Sequence, residues 1–279
     1  MSDSLVVNDH SRRLGAFEKR VHEVDCARGI LILLVLFDHL LISFLLNSLP
    51  WYEITGNYFW FQVHEAMQWY YDCLPRQIIR QVCLIAFCFI SGVSCAFSRN
   101  NWKRACEMIL VFALIQVGGN LLKAWHWFGD TETIIDFNVI GVLAFSTLFY
   151  CFVQNLSWRG LLASTLLWTL FVTYGMDIIW TIPGTEYGHE LARVPALFEP
   201  KFPVGDWMPI VPYIAFFFAG ALFALFVYQD KKAKLPRGEW ERPVCFIGRY
   251  TIWIYLGHQA ILIPIFMVIT AILRAAYGA

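Results

Sequence analysis

The sequence predicts an all-α protein, a polytopic integral membrane helical bundle of about seven transmembrane helices that forms one domain over residues 1–279. Composition is the first reason, because apolar residues make up 58% of the chain, charged residues only 15%, and the mean hydropathy is +0.55. A soluble protein of this length could not bury so much apolar surface in its core. Apolar segments of membrane-crossing length are the second reason. They run over 29–49, 78–98, 105–122, 134–154, 160–182, 209–228 and 250–273.

The distribution of charge predicts how the bundle is oriented. The 21 lysines and arginines balance 21 acidic residues, so the net charge gives no reason to expect a nucleic-acid partner. Most of the basic residues lie in alternate connections, over 12–28, 99–104 and 231–249. Because cytoplasmic connections are rich in lysine and arginine, this pattern places the N-terminus in the cytoplasm and the C-terminus outside.

The first 26 residues are predicted to form a cytoplasmic N-terminal segment. They are polar at first and then amphipathic, which is typical of a surface helix that leads into a membrane span. The eight cysteines of the chain lie mostly within or beside the predicted spans and show no metal-type pairing. Neither a metal site nor a disulfide framework is therefore expected.

The first span carries two ionisable residues, Asp38 and His39, near its middle. Such residues cost several kcal/mol in a bilayer unless they face a polar cavity or a partner. Arg28 precedes His39 by three helical turns, so both side chains lie on one face, about 16 Å apart along the axis. Arg28 could simply anchor the helix and His39 bond a neighbouring helix. The alternative is a polar site that both residues line.

Two outer connections are candidates for contact with a substrate. Residues 50–77 are predicted to form an outer loop dense in Trp, Tyr and Phe, either an interfacial belt or a lid that stacks on a sugar or lipid. Within it, His64 stands beside Glu65. Residues 183–208, which include Asp206, are predicted to form an irregular cover over the outer face.

The last span supplies the second polar group. Arg249 stands at its start, and His258 and Gln259 follow about ten residues later. This spacing places them at a depth similar to that of His39. If the first and last spans are neighbours, His258 and His39 should approach each other. On the cytoplasmic side, a basic turn containing Arg99 and Arg104 would attract a polyphosphate, although a cytoplasmic loop needs no further reason for such charges.

Arg20, Asp25, Arg28 and Gly29, followed by an apolar run into His39, resemble the opening of the heparan-alpha-glucosaminide N-acetyltransferase catalytic family in its short bacterial form. The arginine and histidine also resemble the signature of the acyltransferase family 3 membrane enzymes. Position 39 is closer to the second family, because the heparan branch has asparagine there. Three further blocks agree in order with the first family, at 85–104, 205–220 and 247–262.

The resemblance implies a membrane acetyltransferase of the bacterial cytoplasmic membrane. Acetyl-CoA or another acyl-CoA would be a cytoplasmic co-substrate rather than a tightly bound cofactor, and the acceptor would be a glycan or lipid-linked molecule at the outer face. Acyl transfer needs a general base and donors for the oxyanion. We expect His39 as base, Asp38 to orient it, and His258 to position the acyl carbonyl or stabilise the oxyanion. Further candidates are His64 for catalysis, Arg28, Arg249, Arg99 and Arg104 for acyl-CoA, and Asp25, Gln259 and Asp206 without an assigned role.

Two other classes of function stay open at this point. Asp38, His39 and His258 could form the relay of a proton-coupled transporter, although the halves show no inverted repeat and no pair of broken short spans. A non-enzymatic sensory protein would leave the alignment of Arg28 with His39 unexplained. The sequence also leaves the acceptor, the length of the acyl group and the oligomeric state open, with a homodimer as one option.

Overall fold

A computed structural model of the chain describes residues 21–98, 100–124, 138–170, 208, 210–228, 230, 232–236 and 238–278. Over this part of the chain the secondary structure is helical and contains no strand, which confirms the predicted all-α class. The helices are α1 (His22–Thr55), α2 (Tyr58–Asp72), α3 (Leu74–Phe97), α4 (Asn101–Ala124), α5 (Val139–Val153), α6 (Trp158–Leu170), α7 (Ile210–Val227), α8 (Glu241–Arg249) and α9 (Thr251–Tyr277).

Three of the described helices, α1, α3 and α9, are long and apolar enough to cross a membrane. Their outward faces carry large apolar side chains, such as Phe37 at 55%, Val82 at 57% and Ile261 at 61% exposure. Exposing such apolar surfaces to water is unfavourable in free energy, whereas lipid tails can contact them without that cost. The protein is therefore a helical membrane protein. The count of seven spans stays a prediction, since α5 and the 212–227 part of α7 are shorter apolar helices.

The chain divides into two compact units, one formed by Met1–Cys83 with Ala233–Ala279 and the other by Leu84–Lys232. The first unit contains α1, α2, the beginning of α3, α8 and α9, and with them both histidines of the predicted site. In the second unit, Gly92 and Gly220 let α3 and α7 cross in backbone contact, because a Cβ at either position would meet the carbonyl of Phe217 or Phe89. The prediction of a single domain stays a prediction.

The predicted outer loop over 50–77 is wrong, because this segment is helical. Helix α1 continues through Pro50 to Thr55, and α2 follows after a short turn. In that turn Gly56 takes a left-handed conformation with φ of 64°, and the Asn57 side chain caps α2 by accepting from the Phe59 amide. Pro50 removes one helical hydrogen bond, and its neighbours Ser48 and Trp51 are buried.

Helices α1 and α9 pack side by side and run in the same direction. Asp25 pairs with Arg249 just before α9, His39 contacts Gln259, and Trp51 Nε1 donates to Thr270 Oγ1 at 2.7 Å. These contacts follow one order along both helices. The neighbouring first and last spans that the sequence analysis required are therefore present.

Helix α2 returns along α1 in the opposite direction. Trp60 packs on Trp51 with ring centroids 4.7 Å apart, and His64 contacts the Leu45 carbonyl one and a half turns earlier in α1. Tyr70 then reaches Asp38. As a result, α3 begins at the level of Asp38, and Asp38 lies beside the first turn of α3.

The short helix α8 packs against the start of α1 in close backbone contact. A Cβ on Gly29 would collide with the Val244 carbonyl, and one on Gly248 would collide with the Asp25 carbonyl. The sequence analysis assigned this charged region to a connection and did not predict the helix. The predicted surface helix before residue 21 lies outside the described residues, and from His22 onward the chain already belongs to α1.

Candidate functional site

The site is organised around two imidazoles, His39 on α1 and His258 on α9. His39 stands at the midpoint of α1, about 25 Å from either end of the helix. The two ring centroids are 4.8 Å apart and the ring planes meet at 55°. His258 is buried, with 6% of its surface exposed. The approach of the two side chains that the spacing predicted is therefore observed.

The hydrogen bond of His258 defines which of its nitrogens carries the proton. Its Nδ1 contacts the backbone carbonyl of Tyr255, which can only accept, so Nδ1 is the protonated nitrogen of the neutral ring. Nε2 is then an acceptor, and this buried atom has no hydrogen-bond partner among the described residues. A buried polar atom without a partner is costly and uncommon. Nε2 of His258 can therefore accept a hydrogen bond from another group.

A hydrogen bond from Gln259 determines the tautomer of His39, which is opposite to that of His258. Its amide nitrogen lies 3.2 Å from Nδ1 of His39 and donates to it, so in the neutral ring the proton sits on Nε2. The pair thus presents one imidazole with a lone pair and one with an N–H. A base next to a hydrogen-bond donor is what acyl transfer requires.

Asp38 is held by two side chains that the sequence analysis did not assign to it. Arg76 donates from Nε to one carboxylate oxygen at 2.8 Å and from the terminal nitrogen Nη2 to the other at 3.0 Å. Tyr70 donates its hydroxyl to the same carboxylate at 2.9 Å. A bidentate arginine with a phenol satisfies a carboxylate well. Asp38 was expected to bond Nδ1 of His39 and so to orient the ring. Gln259 makes that contact instead.

Arg76 and its aromatic neighbours enclose this carboxylate. The guanidinium lies 4.4 Å from the ring centroid of Tyr71 and donates to the Tyr71 carbonyl at 3.2 Å. Burial raises the pKa of Tyr70 to about 12, and its bond to Asp38 adds to that shift. The phenol is therefore protonated, and a donor, throughout the physiological pH range. A carboxylate inside a span indicates that a cation lies nearby, and Arg76 in the first turn of α3 is that cation.

Replacing Arg76 with Met is expected to destabilise the protein by about 3 kcal/mol, because it leaves the Asp38 carboxylate without its cation in a largely buried place. The double variant Asp38→Leu with Arg76→Met should recover most of that loss. Thermal unfolding of the purified protein in detergent measures both effects. Arg80→Met is the matched control, since Arg80 is exposed on the same helix. Equal unfolding temperatures for Arg76→Met and Arg80→Met would contradict the role given to this pair.

The structure describes three of the four arginines that were predicted to bind acyl-CoA. Arg249 Nε lies 3.3 Å from Asp25, which is 8% exposed, and Arg28 is half-buried one turn farther along α1. Arg104 belongs to the other unit. Arg99 and Asp206 lie outside the described residues. The predicted clustering of these arginines therefore stays a prediction.

His64 connects α2 to α1. Its Nδ1 donates to the Leu45 carbonyl at 3.2 Å and lies 3.4 Å from Ser48 Oγ. Leu45 is about 9 Å along α1 from His39. These contacts fasten the two helices together, and the catalytic role expected for His64 stays a prediction.

Long apolar helices around a histidine pair, of which His258 is buried, define a membrane protein with polar side chains between its helices. A family model described as heparan-alpha-glucosaminide N-acetyltransferase, catalytic, matches residues 20–260. The chain belongs to this family, which confirms the resemblance carried by its sequence blocks. The membership indicates a membrane acetyltransferase. No curated protein and no solved structure matches the chain.

Proposed function

We propose that this protein transfers an acetyl group from acetyl-CoA to a hydroxyl or amine of a glycan-type acceptor, with the chemistry at the pair of His39 and His258. The observation that carries the proposal is the buried Nε2 of His258, which has no hydrogen-bond partner among the described residues and stands beside a second imidazole. In a chain of an acetyltransferase family, such an atom is a strong candidate for the general base.

The hydrogen bonds favour His258 as base and His39 as donor, the reverse of the roles expected from the sequence. Nε2 of His258 removes a proton from the acceptor while the acceptor oxygen or nitrogen attacks the thioester carbonyl. The N–H of His39 bonds the oxyanion of the tetrahedral intermediate. The carbon–sulfur bond then breaks, and the proton held by His258 passes to the departing CoA thiolate. The products are the acetylated acceptor and CoA.

The start of α1 supports donor binding from the side that the charge pattern assigns to the cytoplasm. Asp25 holds Arg249 there, and Arg28 lies one turn farther on, about 16 Å along α1 from His39. Guanidinium groups bind phosphate oxygens well. The phosphates of CoA would lie against these arginines, and its flexible arm would follow α1 to the histidines.

The opposite end supports entry of the acceptor. Asp38 lies beside the first turn of α3. The histidine pair is therefore level with the start of α3 and not with its middle. Helix α2 covers this end and exposes large rings, with Tyr58 at 59%, Phe59 at 56% and Trp69 at 74% exposure. Aromatic rings stack on sugar faces and also lie at membrane interfaces. A glycan or lipid-linked acceptor fits this surface.

Replacing Arg28 with Ala is expected to raise the KM for acetyl-CoA by roughly 10- to 100-fold with little change in kcat, because a charged hydrogen bond to phosphate contributes about 1.5–3 kcal/mol to ground-state binding. Arg28→Lys should recover only part of this loss. Initial rates over a range of acetyl-CoA concentrations measure the effect. Arg242→Ala, which removes an exposed arginine of α8, is the matched control. An unchanged KM in Arg28→Ala would reassign Arg28 to anchoring the helix.

The proposed function is tested with purified protein in liposomes, using acetyl-CoA as donor and glucosamine as acceptor. Release of the CoA thiol and formation of acetylated glucosamine should rise together and depend on both substrates. Proton flux is followed in the same liposomes with an internal pH dye. Proton flux that needs no acetyl-CoA, without release of CoA, would overturn the proposal in favour of a proton-coupled transporter.

A further inference from the structure

A second cluster of reactive side chains lies where α8 meets the start of α1, away from the histidine pair. His22 and Cys26 are one turn apart on α1, and Glu241 and Cys245 are one turn apart on α8. Residues four positions apart share a helix face. The close packing of α8 on α1 at Gly29 and Gly248 brings the two faces together.

Three ligand atoms of this cluster are close enough to share one ion. The sulfurs of Cys26 and Cys245 and a carboxylate oxygen of Glu241 all lie within 4.8 Å of one another. Nε2 of His22 is 3.4 Å from Oε2 of Glu241. Four ligands around a zinc ion are separated by roughly 3.3–3.8 Å, as follows from zinc bond lengths of about 2.0–2.3 Å. The limit of 4.8 Å that holds for the two sulfurs and the carboxylate oxygen is close to this range, and His22 lies beside the same carboxylate.

The surroundings of the cluster also suit a bound cation. The two thiols are buried, with Cys26 at 7% and Cys245 at 0% exposure, while the side chains of His22 and Glu241 retain 12% and 15%. Nε2 of His22 is buried without a hydrogen-bond partner among the described residues. The other carboxylate oxygen, Oε1 of Glu241, accepts from the Gly238 amide at 3.2 Å, which orients the carboxylate. Metal ligands are commonly held by such outer contacts.

We propose that His22, Cys26, Glu241 and Cys245 bind a divalent transition-metal ion of the zinc class with tetrahedral coordination. Two sulfurs, one imidazole nitrogen and one carboxylate oxygen form a donor set that zinc prefers. Binding removes the two thiol protons, which pass to solvent, and the sulfurs bind as thiolates. The ion fastens α8 to α1 and so holds the Asp25–Arg249 pair in place.

The cysteine pattern alone predicted no metal site, because the ligands form two pairs that are far apart in the sequence. Each pair is nevertheless recognisable as two metal-binding residue types four positions apart on a helix. Only the packing of α8 on α1 shows that the pairs face each other. The inference stands independently of the proposed acetyl transfer, since its test measures metal and not activity.

The test uses the full chain, purified in detergent under reducing conditions without chelators and incubated with Zn²⁺ or Co²⁺. We expect about one zinc ion per chain by elemental analysis after removal of unbound metal. Co²⁺ should give the sulfur-to-metal absorption of a thiolate complex. Zn²⁺ should also slow the reaction of Cys26 and Cys245 with a maleimide, as followed by mass spectrometry. These measurements use the unaltered chain, so they do not depend on a variant that folds.

Variants then locate the site. Cys26→Ser, Cys245→Ser and Glu241→Gln should each weaken zinc binding at least tenfold. Cys83→Ser, which alters a cysteine of similar burial at 6% exposure in the same unit, should bind zinc as the original chain does. Zinc content far below one per chain in the original protein would overturn the proposal. Equal zinc binding in Cys26→Ser and Cys83→Ser, or a Cys26–Cys245 disulfide after reducing purification, would overturn it as well.

Discussion

Replacement of His258 by either Gln or Leu is expected to lower kcat for acetyl transfer by roughly 10²–10⁴-fold, which is the contribution of a general base. Nε2 of His258 is the buried acceptor beside His39, and Nδ1 is already bonded to the Tyr255 carbonyl. Glutamine keeps a polar group there but cannot take up a proton at neutral pH. It should therefore be no better than leucine. Release of the CoA thiol by purified protein measures both variants.

A loss of fold must be separated from a loss of the base. The thermal unfolding temperature and the gel-filtration profile of each variant are compared with those of the original chain, and only variants that match are assayed. If His258→Gln kept activity within tenfold of the original chain while His258→Leu was inactive, His258 would be a hydrogen-bond donor. That result would return the role of base to His39, as the sequence alone suggested.

Replacement of His39 should give the opposite pattern. His39→Leu is expected to lower kcat by roughly 10²–10³-fold, because it removes a donor to the oxyanion. His39→Gln keeps an N–H donor and should be about tenfold more active than His39→Leu. The donor is the Nε2 proton of His39, because Gln259 bonds Nδ1 of the same ring. Steady-state rates at saturating acetyl-CoA measure the difference, since the loss should appear in kcat rather than in KM.

Gln259→Leu provides a finer test of the same arrangement. It removes the contact that selects the tautomer of His39, while His39 itself stays in place. Activity should fall between that of the original chain and that of His39→Leu. Full activity in Gln259→Leu, or equal activities of His39→Gln and His39→Leu, would argue against His39 as the oxyanion donor.

Properties that depend on position along the chain could be predicted well. The α-helical class, the long apolar helices around positions 29–49, 78–98 and 250–273, and the family resemblance come from residue type and order. The approach of His39 and His258 was also foreseen. Depth along a helix grows by about 1.5 Å for each residue, so equal distances from the helix starts place two residues at one level.

Properties that depend on which side chains meet could not be read in this way. The cation that holds Asp38 is Arg76, in the segment 50–77 that the sequence analysis took for an outer loop. Helix periodicity gives the face of each residue on its own helix. It does not show which distant helix lies opposite that face.

The sequence by itself determined that this is a helical membrane protein of the acetyltransferase family with ionisable residues inside its spans, because hydropathy, charge bias and motif order are local properties. Only the tertiary structure decided that contacts with Gln259 and Tyr255 determine which nitrogen of each histidine carries the proton. Only the structure placed His22 and Cys26 against Glu241 and Cys245. Both results depend on contacts of a few ångströms between residues far apart in the chain, and packing establishes those contacts.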